Sequence, residues 1–254
     1  MSNPPHVSRG KAAQVAVPIV DLLRRPGGPR DRQLLFGDKV QIQQAKDGWS
    51  HVHADKDGYA GYVSTASLGA ERQATHWISA PSTHVYQAPD LKSPDQMTLS
   101  FGSRITVLSR AGSFAQIPNG YVPDIHLTPI GTHLTDPPGV ATLFLGTPYL
   151  WGGNSRAGID CSGLVQAAFL ACGRPCPGDS SQQENAFGPA LPSGTQPRRG
   201  DLLFWNGHVA MVHDPDTLLH ANAHHMAVRY EPLVPALKRI EAQGDGPVTS
   251  HRRP

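Results

Sequence analysis

Downstream of Cys161 the apolar residues fall at Leu164, Val165, Ala168, Phe169 and Cys172, the spacing of a helix with one buried face. Asp160 or Ser162 can supply the capping oxygen at its start. Between Asp201 and Ala221 the period shortens. Apolar runs at Asp201–Trp205, His208–Val212 and Leu218–Ala221 alternate with the turns Asn206-Gly207 and Asp214-Pro215-Asp216. Asn-Gly between two apolar runs is a strong hairpin signal, so this stretch predicts an antiparallel meander, continued by Met226–Tyr230. His208 and His220 sit in neighbouring strands of it. Side chains alternate faces, so the two share a face only if the connecting loop is odd in length or carries a bulge. A three-residue Asp214-Pro215-Asp216 loop satisfies that condition.

The first half repeats itself. Phe36-Gly37-Asp38-Lys39-Val40-Gln41-Ile42 returns as Phe101-Gly102-Ser103-Arg104-Ile105-Thr106-Val107, and Gly61-Tyr62-Val63 returns as Gly120-Tyr121-Val122. Each copy spans about sixty residues of short strands with Gly, Pro and Asp turns, which predicts two small β-barrels. The expected organisation is a flexible arm over residues 1–14, barrels over 15–70 and 75–130, and a third domain over 131–254. Pro175 to Arg199, rich in Pro, Gly, Ser and Gln, reads as a long irregular excursion, and the polar tail from Glu241 reads as frayed.

Composition narrows the function. A net charge of +2 over 254 residues argues for neither a nucleic-acid nor a membrane partner. Three cysteines make no disulfide framework and suit a reducing compartment. No signal peptide or spanning segment is visible, so a cytoplasmic location is expected. With no segment resembling a dimerisation helix, a monomer is expected.

The candidate chemistry centres on Cys161. A thiol in the first turn of a helix lies beside unpaired N–H groups and the positive end of the dipole, which favour thiolate. His208 can take its proton, and His220 can hold that imidazole in orientation. A lone cysteine at a helix start is more often a small buried apolar residue. Cys172 and Cys176 read as idle thiols, and two cysteines without paired His or Cys spacing make a poor zinc site, so no metal or cofactor is expected.

Tyr149-Leu-Trp-Gly-Gly153, Asp160-Cys-Ser-Gly163, Gly200-Asp-Leu-Leu-Phe-Trp205 and Gly207-His-Val209, with His220 a strand later, resemble the NlpC/p60 cell-wall cysteine peptidases. The resemblance covers roughly residues 131–235. It implies an α+β, papain-like domain in which the helix bearing the cysteine packs on an antiparallel sheet, and the two barrels resemble the bacterial SH3-like domains that accompany it. It also implies Cys161 as nucleophile, His208 as base and His220 as orienting residue, acting on the γ-D-glutamyl–diamino acid bond of peptidoglycan stem peptides. Relatives with two such barrels close the groove with the first and require a free N-terminal L-alanine. On that basis Tyr149, Asp160, Ser162, Asp179 and Ser180 are expected to line the substrate subsite, completed from the first barrel by Tyr59 or Tyr62 and an acid such as Asp38. Cys161 N–H and Tyr149 are the expected oxyanion donors. Arg156, Arg198 and Arg199 are weaker candidates for a substrate carboxylate. Two rival readings are a non-catalytic wall-binding module and an amidase, or other cysteine acyl hydrolase, on the same core.

Overall fold

The computed structural model describes residues 10–254. The first barrel comprises β1 (Lys11–Val15), β2 (Ile19–Leu23), β3 (Arg30–Leu35), β4 (Lys39–Lys46), β5 (Trp49–Ala54), β6 (Ala60–Ser64) and β7 (Leu68–Gly69). They hydrogen-bond in the order β3-β2-β6-β5-β4-β1-β7 around Val15, Leu22, Val40, Val52 and Val63. The expected arm is thus wrong for Lys11–Gln14. Ala13 and Val15 are buried, and β1 pairs with both β4 and β7. Residues 1–9 of that arm lie outside the described residues.

The second barrel uses β8 (His76–Ile78), β9 (Ser82–Tyr86), β10 (Asp95–Ser100), β11 (Arg104–Ile105), β12 (Ser109–Ala111), β13 (Phe114–Ile117), β14 (Gly120–Pro123) and β15 (Leu127–Pro129). Phe36 of the first barrel enters its core beside Ile78, Leu99 and Ile105. Gly37 permits this contact. Its φ is +78°, and a Cβ there would lie 2.0 Å from the Arg104 carbonyl oxygen.

The third domain holds α1 (Pro137–Thr142), a small hairpin of β16 (Asn154–Ser155) and β17 (Gly158–Ile159), α2 (Cys161–Ala171), α3 (Ser180–Ala186), β18 (Leu202–Trp205), β19 (His208–Asp214), β20 (Thr217–Asn222), β21 (Ala227–Pro232), α4 (Leu233–Ile240) and β22 (Ser250–Arg252). Its main sheet is antiparallel in the order β21-β20-β19-β18-β22. Helix α2 presses Leu164, Val165, Ala168 and Phe169 onto Leu202, Phe204, Val209, Met211 and Leu219. On the other face, Ala236 and Ile240 of α4 cover Leu203, Trp205, Ala210 and Val212. Covered on both sides, these strands read as continuous apolar runs rather than alternating ones.

Three local expectations change. The excursion after Pro175 contains a two-turn helix, α3, and the tail supplies β22, whose Ser250–Arg252 pair with Leu202–Phe204 and close the sheet edge. The connection between β19 and β20 is not a three-residue loop. Asp214 pairs with Thr217 across a two-residue turn, and the register shifts between Val212 and Asp214. The extra residue, His213, is a bulge, and it supplies the odd count that the sequence required. Among the described residues no helix is long and apolar enough to cross a membrane.

Candidate active site

Cys161 opens α2, and Asp160 caps the helix by accepting the Gly163 N–H at 2.6 Å. The N–H groups of Cys161 and Ser162 have no i−4 carbonyl within the helix. The backbone N–H groups of Ser162 and Val209 favour the charged form of the Cys161 thiol, and Val209 packs in the same buried cluster. Val209 follows His208 directly, so thiol and imidazole stand on adjoining backbone. Cys161 is 7% exposed. Burial, with a smaller contribution from the Asp160 carboxylate, pushes the thiol up to about 12, and the two N–H groups and Arg32 only partly oppose this. Burial at Cys161 thus opposes the thiolate that the helix terminus alone favours.

The bulge at His213 turns His208 and His220 to one face, with His208 Nε2 2.9 Å from His220 Nδ1. Burial, then the neighbouring His220 and Arg239, lower His208 to about 3, so it is a neutral imidazole with base capacity. His220 is 1% exposed and lowered by burial as well. Its Nε2 lies 2.9 Å from Glu231 Oε2. Arg239 of α4 holds that carboxylate with two bonds of 2.7 Å, Nε to Oε1 and Nη2 to Oε2. Burial would raise Glu231, but the bonds from His220 and Arg239 win and hold it far below the usual carboxylate range.

The first barrel reaches the same place. Arg32 of β3 donates from Nη1 to Ser162 Oγ at 3.0 Å and to Asp160 Oδ2 at 3.4 Å, gripping both neighbours of Cys161. Around it, Arg30 donates to the Trp151 carbonyl, Gln33 accepts from Asn154 N–H, and Asp57 accepts from Gln166. The Tyr59 hydroxyl donates to Asp179 Oδ2 at 3.1 Å. Burial and the Asp179 carboxylate push that phenol up, so it remains a donor. Asp179 precedes α3 without capping it, because its carboxylate turns toward the barrel instead. It stays 40% exposed.

The expected subsite is therefore assembled in part. Tyr149 packs against the cluster that holds Cys161, His208 bonds His220 and precedes Val209 of that cluster, and Tyr59 bonds Asp179 just ahead of half-buried Ser180. Asp160 and Ser162 are present, but their polar atoms are committed to the protein itself. Asp160 accepts from Gly152, Gly163, Ser162 and Arg32, which fills its four acceptor positions. Two barrel candidates do not belong. Tyr62 packs on His51 at 4.8 Å between ring centroids, on another side of the barrel. Asp38 caps the Leu35 N–H and pairs with Lys56. The weaker arginines are also engaged elsewhere: Arg156 with Thr147 and Leu145, Arg199 with Asp136 and His213. Arg32, Glu231 and Arg239 went unread. None stands in a motif, each has another charged residue within its own strand or helix, and only the fold brings it to the site.

A cysteine at a helix start, set against an antiparallel sheet carrying histidines, defines the class of papain-like cysteine hydrolases. Residues 146–236 match the NlpC/P60 family, and residues 22–68 match the bacterial dipeptidyl-peptidase SH3 domain. The chain thus carries an NlpC/P60 cysteine-peptidase domain with a bacterial SH3 domain ahead of it. It is 28% identical over 191 residues to a γ-D-glutamyl-L-lysine dipeptidyl-peptidase of Bacillus subtilis, covering 68% of this chain and 63% of that protein. It is also 28% identical over 216 residues to dipeptidyl-peptidase 6 of Lysinibacillus sphaericus, covering 75% and 79%. The match thus spans less than two thirds of the B. subtilis protein. The crystal structure of an NlpC/P60 family protein from Bacillus cereus superimposes with a TM-score of 0.79 at 20% identity, over 96% of this chain and 99% of that one, which establishes the shared fold.

Proposed function

We propose that this protein is a cysteine endopeptidase that cuts the γ-D-glutamyl–diamino acid bond of peptidoglycan stem peptides bearing a free N-terminal L-alanine, releasing L-alanyl-D-glutamate. As Cys161 sulfur attacks the γ-carbonyl carbon, neutral His208 takes the thiol proton. Charge gathering on the carbonyl oxygen is met by first-turn N–H groups of α2, with Tyr149 as a second donor. The imidazolium then protonates the leaving amine, and the thioester forms. Water, deprotonated by the same histidine, hydrolyses it and restores the thiol.

The observation that carries this proposal is the bond from Tyr59 to Asp179. It supports the reading by bringing a first-barrel side chain beside a half-exposed carboxylate suited to an ammonium group. A stem still joined to glycan has no ammonium there and meets the barrel wall. On this reading the substrate is a released peptide and the site of action cytoplasmic. The test compares L-Ala-γ-D-Glu-L-Lys, its meso-diaminopimelate counterpart and an N-acetylated form of each. Free peptides should be cut, and acetylation or Asp179→Asn should raise KM about ten- to hundredfold. Equal turnover of acetylated peptide would favour an amidase-like groove instead.

A further inference from the structure

The hydrogen bonds behind the histidines run further than the two imidazoles need. Glu231 is 7% exposed and is ionised, since His220 and both arms of Arg239 donate to it. An ionised carboxylate can only accept. His220 must therefore carry its proton on Nε2, facing Glu231 Oε2 at 2.9 Å. Being neutral, His220 then has a bare Nδ1, and its 2.9 Å contact to His208 Nε2 requires His208 to be the donor. With its proton on Nε2, His208 presents an unprotonated Nδ1.

We propose that Glu231, clamped by Arg239, is a positioning residue that sets the direction of every hydrogen bond in the chain Glu231–His220–His208 and thereby makes His208 Nδ1 the atom that accepts the Cys161 proton. This rests on the hydrolytic reading above only in its last step. The same carboxylate stabilises the imidazolium that follows attack, because its charge is relayed through His220 without leaving Glu231. Arg239 keeps the carboxylate charged in a buried place, and its bidentate grip leaves Oε2 aimed at His220. His225 Nδ1, 3.9 Å from Glu231 Oε2, lies beyond hydrogen-bond reach and is half-exposed in the adjoining turn.

Side-chain nitrogen NMR on histidine-labelled protein reads the proton positions directly and needs no substrate. The wild type should show His208 and His220 as neutral Nε2–H tautomers. Glu231→Leu should give mixed tautomers at both rings, with kcat on L-Ala-γ-D-Glu-L-Lys down about a hundredfold or more and KM nearly unchanged. Glu231→Gln keeps the shape and can still offer an oxygen to His220. It should retain the tautomers while lowering kcat about tenfold, because the imidazolium loses its counter-charge. This variant decides the matter should the leucine protein not fold. A His208 proton found on Nδ1 in the wild type, or kcat unchanged in Glu231→Gln, would overturn the proposal. If the peptide is not a substrate at all, the hydrolytic reading fails while the tautomer result still stands or falls by itself.

Discussion

His208 Nε2 lies 2.9 Å from His220 Nδ1 because the strand between them carries one residue too many, at His213. Removing it would restore an unbroken register and turn His220 to the opposite face of the sheet. Deleting His213 should leave a cooperatively folding protein with turnover reduced at least a hundredfold. Peptide hydrolysis, with thermal melting as the control for folding, reads this out. Near-normal turnover would show that the bulge does not set the pair.

Arg32 ties the first barrel to both neighbours of Cys161, with its side chain only 4% exposed. Replacing it with Met leaves the buried Asp160 carboxylate with a charge no longer balanced across the interface. Asp160 keeps its bonds to Gly152 and Gly163, so the cost should be about 3 kcal/mol rather than loss of the fold. Urea unfolding should show the shift, and turnover should fall with it as the α2 terminus loosens. An unchanged midpoint would reduce Arg32 to a bystander.

Burial holds the Cys161 thiol up at about 12 and His208 down at about 3, so the free enzyme carries a neutral pair at pH 7. Alkylation of Cys161 by iodoacetamide should be slow at pH 7 and climb as the solution becomes strongly alkaline. A rapid reaction that levels off below pH 6 would indicate a preformed thiolate–imidazolium pair.

The same burial predicts how stability depends on pH. His208 is lowered to about 3, so between about 6.5 and 3 the unfolded chain binds a proton that the folded chain refuses, and His220, also lowered, acts in the same direction. Their contribution is complete above 6.5 and is lost as pH falls toward 3. Glu231, also depressed, acts in the same direction below about 4.5. The melting temperature should therefore drop as pH goes from 7 to 4, less steeply in His208→Gln than in the wild type. Parallel curves for the two proteins would contradict the assignment.

What the chain reveals about itself follows the range of each signal. The α2 spacing, the Asn206-Gly207 turn and the Phe-Gly repeat are local, and the corresponding helix, hairpin and barrels are present. Helix α4 carries Leu233, Ala236, Leu237 and Ile240 at helical spacing, but Pro235 and the polar residues around it mask so short a pattern. Tyr59 and Tyr62 cannot be told apart by type. One precedes β6 and reaches Asp179, whereas the other lies within β6 and meets His51. The helix terminus suggested a thiolate, yet burial, invisible in the sequence, outweighs it. Arg32 and Glu231 act across domains or strands, where spacing carries no information.

The most direct measurement is mass spectrometry of L-Ala-γ-D-Glu-L-Lys and its meso-diaminopimelate counterpart incubated with the wild-type protein and with Cys161→Ala. The wild type should release L-alanyl-D-glutamate from at least one of them, and the folded Cys161→Ala protein should release none. Release by the alanine variant, or an intact peptide bond with the wild type, would contradict an enzyme built around this sulfur.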